Sequence, residues 1–212
     1  MDGGFYMLTA LQTYPALPDS GVFRKMSHVL VLLPAGDDLP ADCPDGKLLR
    51  ATLARRQLDA DELSSDPQAA NSSDGGLRVW LMLDPEKPVF ENLSLLRQGI
   101  AILLDEEPVT VDVIISPKIS RPEWAADLVA YVALANGTPL PHRKQKDAPR
   151  ALEALQIWGC AESLSHAAAL AEGNLLARSL TVLPPNELTP AVYRSKLAAL
   201  ASECGWEMEV FD

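Results

Sequence analysis

The sequence predicts an α/β fold, and three observations carry that expectation. Apolar runs of strand length recur along the chain, amphipathic or alanine-rich stretches of helix length lie between them, and clusters of Pro, Gly, Asp and Asn punctuate the two. The first clear run is His28-Val29-Leu30-Val31-Leu32-Leu33, closed by Pro34-Ala35-Gly36. Continuous rather than alternating hydrophobicity is how a strand covered on both faces reads. Residues 1–25 lack a basic start followed by a clean apolar segment, so they do not read as a secretion signal. They are expected to be a flexible leader, with Met26 as an alternative translation start.

Residues 47–58 space Leu48, Leu49, Ala51, Leu53 and Leu58 among Arg50, Arg55 and Arg56 at an approximate helical period, which predicts a surface helix. The polar, turn-rich stretch 64–76 reads as a loop. Residues 77–83 form a second buried strand, and 88–99 a helix. Residues 100–104 and 109–115 are further apolar runs and read as strands. Ser120-Arg121-Pro122-Glu123 has the spacing of a capping box. After it Trp124, Leu128, Tyr131 and Ala135 form one helical stripe that Asn136-Gly137 would end.

The proline-bearing, basic stretch 139–150 precedes residues 152–158, expected as an edge strand. From 161 to 178, Leu164, Ala168, Ala171, Leu175 and Arg178 keep helical spacing in alanine-rich sequence of high helix propensity. Pro184 and Pro185 break that helix, and Thr189-Pro190 supply an N-cap and an N1 proline for the next. Its stripe is Tyr193, Leu197, Leu200 and Cys204, and Gly205 is placed to cap its end. Residues 206–211 then alternate apolar and acidic, as in a half-buried strand. A strand in that position opens a second unit, so 181–212 reads as the incomplete start of another domain.

Composition narrows the function. With 18 basic and 29 acidic residues the net charge is −11, which opposes attraction to nucleic acid or anionic lipid. No apolar run approaches the roughly 18 residues a membrane span needs. The three cysteines, Cys43, Cys160 and Cys204, are scattered and show no C-x-x-C spacing, which argues against a disulfide framework or thiolate zinc site and fits a reducing cytoplasm.

Specific motifs appear late in the chain. Asn174-Leu175-Leu176-Ala177-Arg178-Ser179-Leu180 followed by Pro184-Pro185-Asn186-Glu187-Leu188-Thr189-Pro190 resembles the N-L-A-R-D-L…P-P-N-x-L-T-P join of leucyl aminopeptidases. Gly205-Trp206-Glu207-Met208-Glu209-Val210-Phe211-Asp212 is similar to the family's following G-V-E-V-x-V-x-D strand. Val182-Leu183 departs from the Asn-Thr that many relatives carry. The resemblance is specific over 171–212, and the upstream half is compatible with the family's macro-like amino-terminal domain, a mixed sheet flanked by helices.

That resemblance implies a leader (1–25), an α/β amino-terminal domain (26–158), a connecting helix (159–180) and the start of a peptidase catalytic domain (181–212). It implies a cytoplasmic, hexameric metallo-exopeptidase that removes amino-terminal residues from peptides, using two divalent metals, manganese or zinc, in its later domain. The family signature N-T-D-A-E-G-R is absent, so no catalytic, cofactor-binding or metal residue transfers to any position, and the chain alone is expected to be inactive and cofactor-free. The alternative is a stand-alone macro-like binding or interaction module without peptidase activity, although no glycine-rich phosphate loop is visible.

The residues offer little independent chemistry. His28, His142 and His166 share no metal-ligand spacing, and each reads as structural or solvated. Asp37-Asp38 and Asp105-Glu106-Glu107 could meet a hard cation but read as solvated turns. His142-Arg143-Lys144-Gln145-Lys146 is a basic cluster suited to an anion or an acidic subunit face, and more simply a solvated loop. Gly75-Gly76 lies in a polar turn, and Cys160 near His166 reads as an ordinary buried cysteine.

Overall fold

The computed structural model describes residues 9–140 and 149–211. Its elements are β1 (Ala10–Tyr14), α1 (Ser20–Phe23), β2 (His28–Pro34), α2 (Gly46–Arg56), a 3-10 turn (Ala60–Ser64), β3 (Gln68–Asn71), β4 (Leu77–Leu83), α3 (Val89–Leu104), β5 (Thr110–Ile115), α4 (Pro122–Gly137), β6 (Ala154–Trp158), α5 (Ser165–Thr181) and α6 (Pro190–Cys204). The strands form one mixed sheet in the order β1-β6-β5-β2-β4-β3. Every pairing is parallel except β3 with β4.

The continuous apolar runs follow from burial on both faces. In β2, Leu30 and Leu32 join the core beneath α3 and α4, while Val29, Val31 and Leu33 face α2. In β4, Val79 and Leu81 go one way, and Trp80 and Met82 the other. Each such side chain contributes roughly 1.5–3 kcal/mol when fully buried, so central strands gain from both faces at once.

The structure corrects several expectations. Residues 100–104 are the last turns of α3, not a strand. Gly99, the last residue of the expected helix, lies inside α3 and serves close packing: a Cβ there would lie 2.9 Å from Leu81 Cδ2 and 3.3 Å from Leu30 Cδ1. The expected loop 64–76 contains β3. The expected flexible leader supplies β1, whose Tyr14 pairs in register with Trp158 and whose Ala10 pairs with Ala154. Because β1 occupies the outer side of β6, the expected edge strand is interior.

The capping box does not form. Helix α4 begins at Pro122, which makes Arg121 the N-cap residue and leaves Ser120 one position outside. The core-facing residues of α4 include Ala125, Val129 and Val132; of the expected stripe, Ala135 is buried, while Trp124, Leu128 and Tyr131 are half-buried against the same core. Helix α4 lies between the sheet, α3 and α5, so it is apolar on more than one face. Gly205 caps α6 in the left-handed conformation at φ 68°, as its position in the sequence predicts. Residues 206–211, expected as a strand, adopt no regular structure and are exposed.

Candidate functional site

The side chains with the most unusual setting lie under the connection from β1 to β2. Arg78 interrupts the apolar run of β4 and is 1 % exposed. A buried guanidinium must be paired. Its Nε donates to Asp45 Oδ2 at 3.0 Å, and its Nη1 donates to the Met26 carbonyl at 2.9 Å. The Phe23 ring covers it, with Cζ 5.0 Å from the centroid. One side chain thereby ties together the β1–β2 connection, the start of α2 and the sheet.

Gly76 makes this possible. A Cβ there would run into Arg78 Nη1 and lie 2.8 Å from the Met26 oxygen. Gly75 supplies the positive φ of the hairpin turn, 83°, that glycine adopts freely. The glycine pair, read from sequence as a plain turn, gives the turn its shape and the arginine its room.

Beside this node Asp112 projects from β5 and is 5 % exposed. Its Oδ1 accepts from Trp158 Nε1 at 3.0 Å, and the Trp158 ring stacks on Tyr14 with centroids 4.0 Å apart. Burial raises the pKa of Asp112 above the ordinary carboxylate value, opposed by the Trp158 hydrogen bond and the positive charge of Arg78. A cleft of about 680 Å³ opens alongside, lined in part by Leu17, Phe23, Asp42, Asp74 and Arg78. Among the described residues that line it there is neither a histidine nor a cysteine. The sequence signal for the whole cluster was available: a lone charge within each of two otherwise apolar strands, Arg78 and Asp112, calls for partners.

The residues singled out in the sequence do not converge. His28 Nε2 lies 3.0 Å from Glu106 Oε2, with Nδ1 3.0 Å from Ser27 Oγ. His166 Nδ1 lies 3.4 Å from Asp127 Oδ2 at the start of α5. Cys160 is buried, and its N–H donates to the Tyr14 carbonyl, whereas His166 is exposed, so the two form no pair. Cys43 is pushed up to about 11, chiefly by burial, which keeps it a thiol at neutral pH. Asp37 and Asp38 are exposed. The basic cluster 142–146 lies outside the described residues. Among the described residues no three His, Cys, Asp or Glu side chains are grouped to hold a metal ion.

The late motif has a physical role. Asn174 Nδ2 donates to the Tyr131 hydroxyl at 3.2 Å, and Arg178 Nη1 donates to the Ala135 carbonyl at 2.6 Å. Leu164, Ala167, Ala171 and Leu175 supply the buried face between those anchors. The polar residues of N-L-L-A-R therefore fasten α5 to α4. Beyond it, Thr189 Oγ1 accepts from the Val192 N–H as the N-cap of α6. Of the stripe expected on α6, Tyr193 is exposed and Leu197 and Leu200 are half-buried.

Comparison with known proteins supplies the fold. No family model and no curated protein matches the chain. Solved structures do. A tomato leucine aminopeptidase matches at TM-score 0.69 and 18 % identity over 92 % of this chain and 42 % of its own. A leucyl aminopeptidase of Trypanosoma brucei matches at TM-score 0.59 and 15 % identity, over 96 % of this chain and 43 % of its own. The bottromycin maturation enzyme BotP, in complex with Mn, matches at TM-score 0.56 and 18 % identity, over 84 % of this chain and 37 % of its own. The chain thus spans about two fifths of the length of these structures and is similar in fold to the amino-terminal domain of leucine aminopeptidases.

Proposed function

We propose that this chain is the amino-terminal, non-catalytic region of a leucyl aminopeptidase-like metallo-exopeptidase, an enzyme class that releases amino-terminal residues from peptides. The observation that carries the reading is the extent of the likeness to the tomato leucine aminopeptidase. Residues 1–158 make up about three quarters of the chain, so a match over 92 % includes residues beyond 158. The anchoring of α5 by Asn174 and Arg178 supports it, because these are residues of the motif that resembles the family's join.

In this reading the mixed sheet from β1 to β6 is an architectural domain, α5 is the connecting helix, and 181–212 begins the unit that follows. The partners are peptide substrates and further copies in a hexamer of the complete enzyme, whose two divalent metals, manganese or zinc, lie in its catalytic domain. There paired cations would polarise the scissile carbonyl and activate a bridging water. A cytoplasmic setting accords with the free Cys43, Cys160 and Cys204.

The test is direct. The purified chain should release no p-nitroaniline from leucine p-nitroanilide above the blank, with or without added manganese or zinc. Metal-dependent turnover that co-elutes with the chain through two chromatographic steps would overturn the assignment of a non-catalytic role.

A further inference from the structure

We propose that the free edge of β3 is a docking site for an extended segment of a different polypeptide, one that presents acidic side chains toward α2 and basic side chains toward the end of α3. The inference is independent of the enzyme reading above. Among the described residues β3 is the outermost strand of the sheet and pairs only with β4, antiparallel, with Ala69 opposite Val79 and Asn71 opposite Leu77. The Ser72 N–H donates to the Gly76 carbonyl at 2.8 Å, which fixes the alternation of the ladder. Residues 70 and 68 therefore bond inward, and the N–H and C=O of Ala69 and Asn71 point out of the sheet. The Leu77 N–H donating to the Ser27 carbonyl, on the other side of β4, agrees with that phase. Among the described residues, nothing bonds the outward groups of Ala69 and Asn71.

That edge lines a groove of about 670 Å³. One bank is α2, with Leu48, Ala51 and Arg55, and the other is the end of α3, with Ile102, Asp105 and Glu106. Proteins commonly guard an open edge with bulky or charged side chains on the strand itself. Here Ala69 and Ala70 leave the backbone accessible, and apolar side chains on the banks can receive the alternating side chains of an added strand.

The charges choose the occupant. A second copy adding its own β3 about a two-fold axis would keep its helices on the same faces. The basic bank that carries Arg55 would then adjoin its own copy, and the acidic bank of Asp105 and Glu106 its own, in a chain that already carries −11. A heterologous strand with acids over Arg55 and bases over Asp105 and Glu106 meets opposite charge on both banks.

A labelled heptapeptide, Glu-Lys-Val-Thr-Glu-Lys-Val, has this alternation and serves as the probe in fluorescence anisotropy with the full chain. Saturable binding is expected, and N-methylation of one alternating set of its amides should abolish it while methylation of the other set leaves it within about twofold, since only one set faces β3. Ala69→Pro removes an outward N–H that the sheet does not use, so it should weaken binding at least tenfold while circular dichroism stays unchanged. Should that variant fail to fold, Arg55→Glu, on the exposed face of α2, should weaken the probe by about fivefold or more. The proposal is overturned by any of three results: no saturable binding up to about 1 mM; equal effects of the two methylation patterns; or a dimer that Ala69→Pro dissolves, which would make the edge a self-association site.

Discussion

Arg78 is the side chain whose loss should do most damage for its size. Replacing it with Met keeps a similar apolar stem and removes the guanidinium. The Met26 carbonyl then loses its partner in a buried setting, at about 1–3 kcal/mol. Loss of the contact with the Phe23 ring costs about 0.5–1 kcal/mol. Asp45 is a third exposed and can recover water, so breaking its pair costs only about 0–1 kcal/mol after screening. Together these give a destabilisation of about 1.5–5 kcal/mol, or a fall in Tm of about 3–20 °C for a chain of this length.

The location of the damage is as specific as its size. Arg24 and Lys25 lie in the connection that Arg78 holds, so trypsin should cut there faster in Arg78→Met under native conditions. Gly76→Ala should produce the same pattern by forcing the guanidinium aside. Urea denaturation with fluorescence detection gives the stability, and a native proteolysis time course gives the location. A loss below about 1 kcal/mol together with unchanged cleavage at 24–25 would refute the role assigned to Arg78.

Asp112 gives a prediction in pH. Its folded pKa is raised, so its contribution to stability is most favourable below the unfolded carboxylate pKa and is lost as pH rises through the folded value. Asp112→Asn, which keeps an acceptor for Trp158, should raise Tm at neutral pH, with the gain shrinking as the pH falls toward 3.8; a gain that grew on acidification would contradict this. Arg178→Ala should cost about 1–3 kcal/mol by orphaning the Ala135 carbonyl, and hydrogen exchange should quicken in α5 ahead of the sheet. Gly159→Ala should be among the most destabilising glycine changes, because φ is 92° and a Cβ would lie 2.7 Å from the Ile115 oxygen; thermal melts would test it against Gly173→Ala, where nothing lies within 4 Å. Phe211 and Trp206 are 82 % and 63 % exposed, and changing both to Ser should raise the concentration at which light scattering first detects association.

The central strands were legible because burial on both faces leaves an unbroken apolar run, as in 28–33 and 77–83. The same signal misleads at 100–104, where a helix packed tightly on the sheet through Gly99 is just as apolar. β1 escaped notice because Ala10–Tyr14 is short and its partner lies at the far end of the sequence, with no local hairpin to announce it. β3 was obscured by the hairpin residues around it. Residues 206–211 show the reverse case: alternation without a neighbouring strand leaves the backbone with no ladder to join. Of the polar cluster, Arg78 and Asp112 stood in plain view within apolar strands, but the carbonyl of Met26 and the ring of Trp158 could be matched to them only by the fold.

The pairing of β1 with β6 also sets a timetable. Ala10 finds its partner in Ala154, so the strand made first must wait while 144 further residues are synthesised. At about 5–20 residues per second that interval is roughly 7–30 s. During it β2, β4 and β5 can already assemble, since their connections are much shorter, while β6 and then β1 dock onto the side of β5 that is still open. Until then the segment around Tyr14 is an unpaired strand near the ribosome, and the Arg78 contact with Met26, made within the early strands, is what can hold the adjoining connection in place before its own strand has a seat.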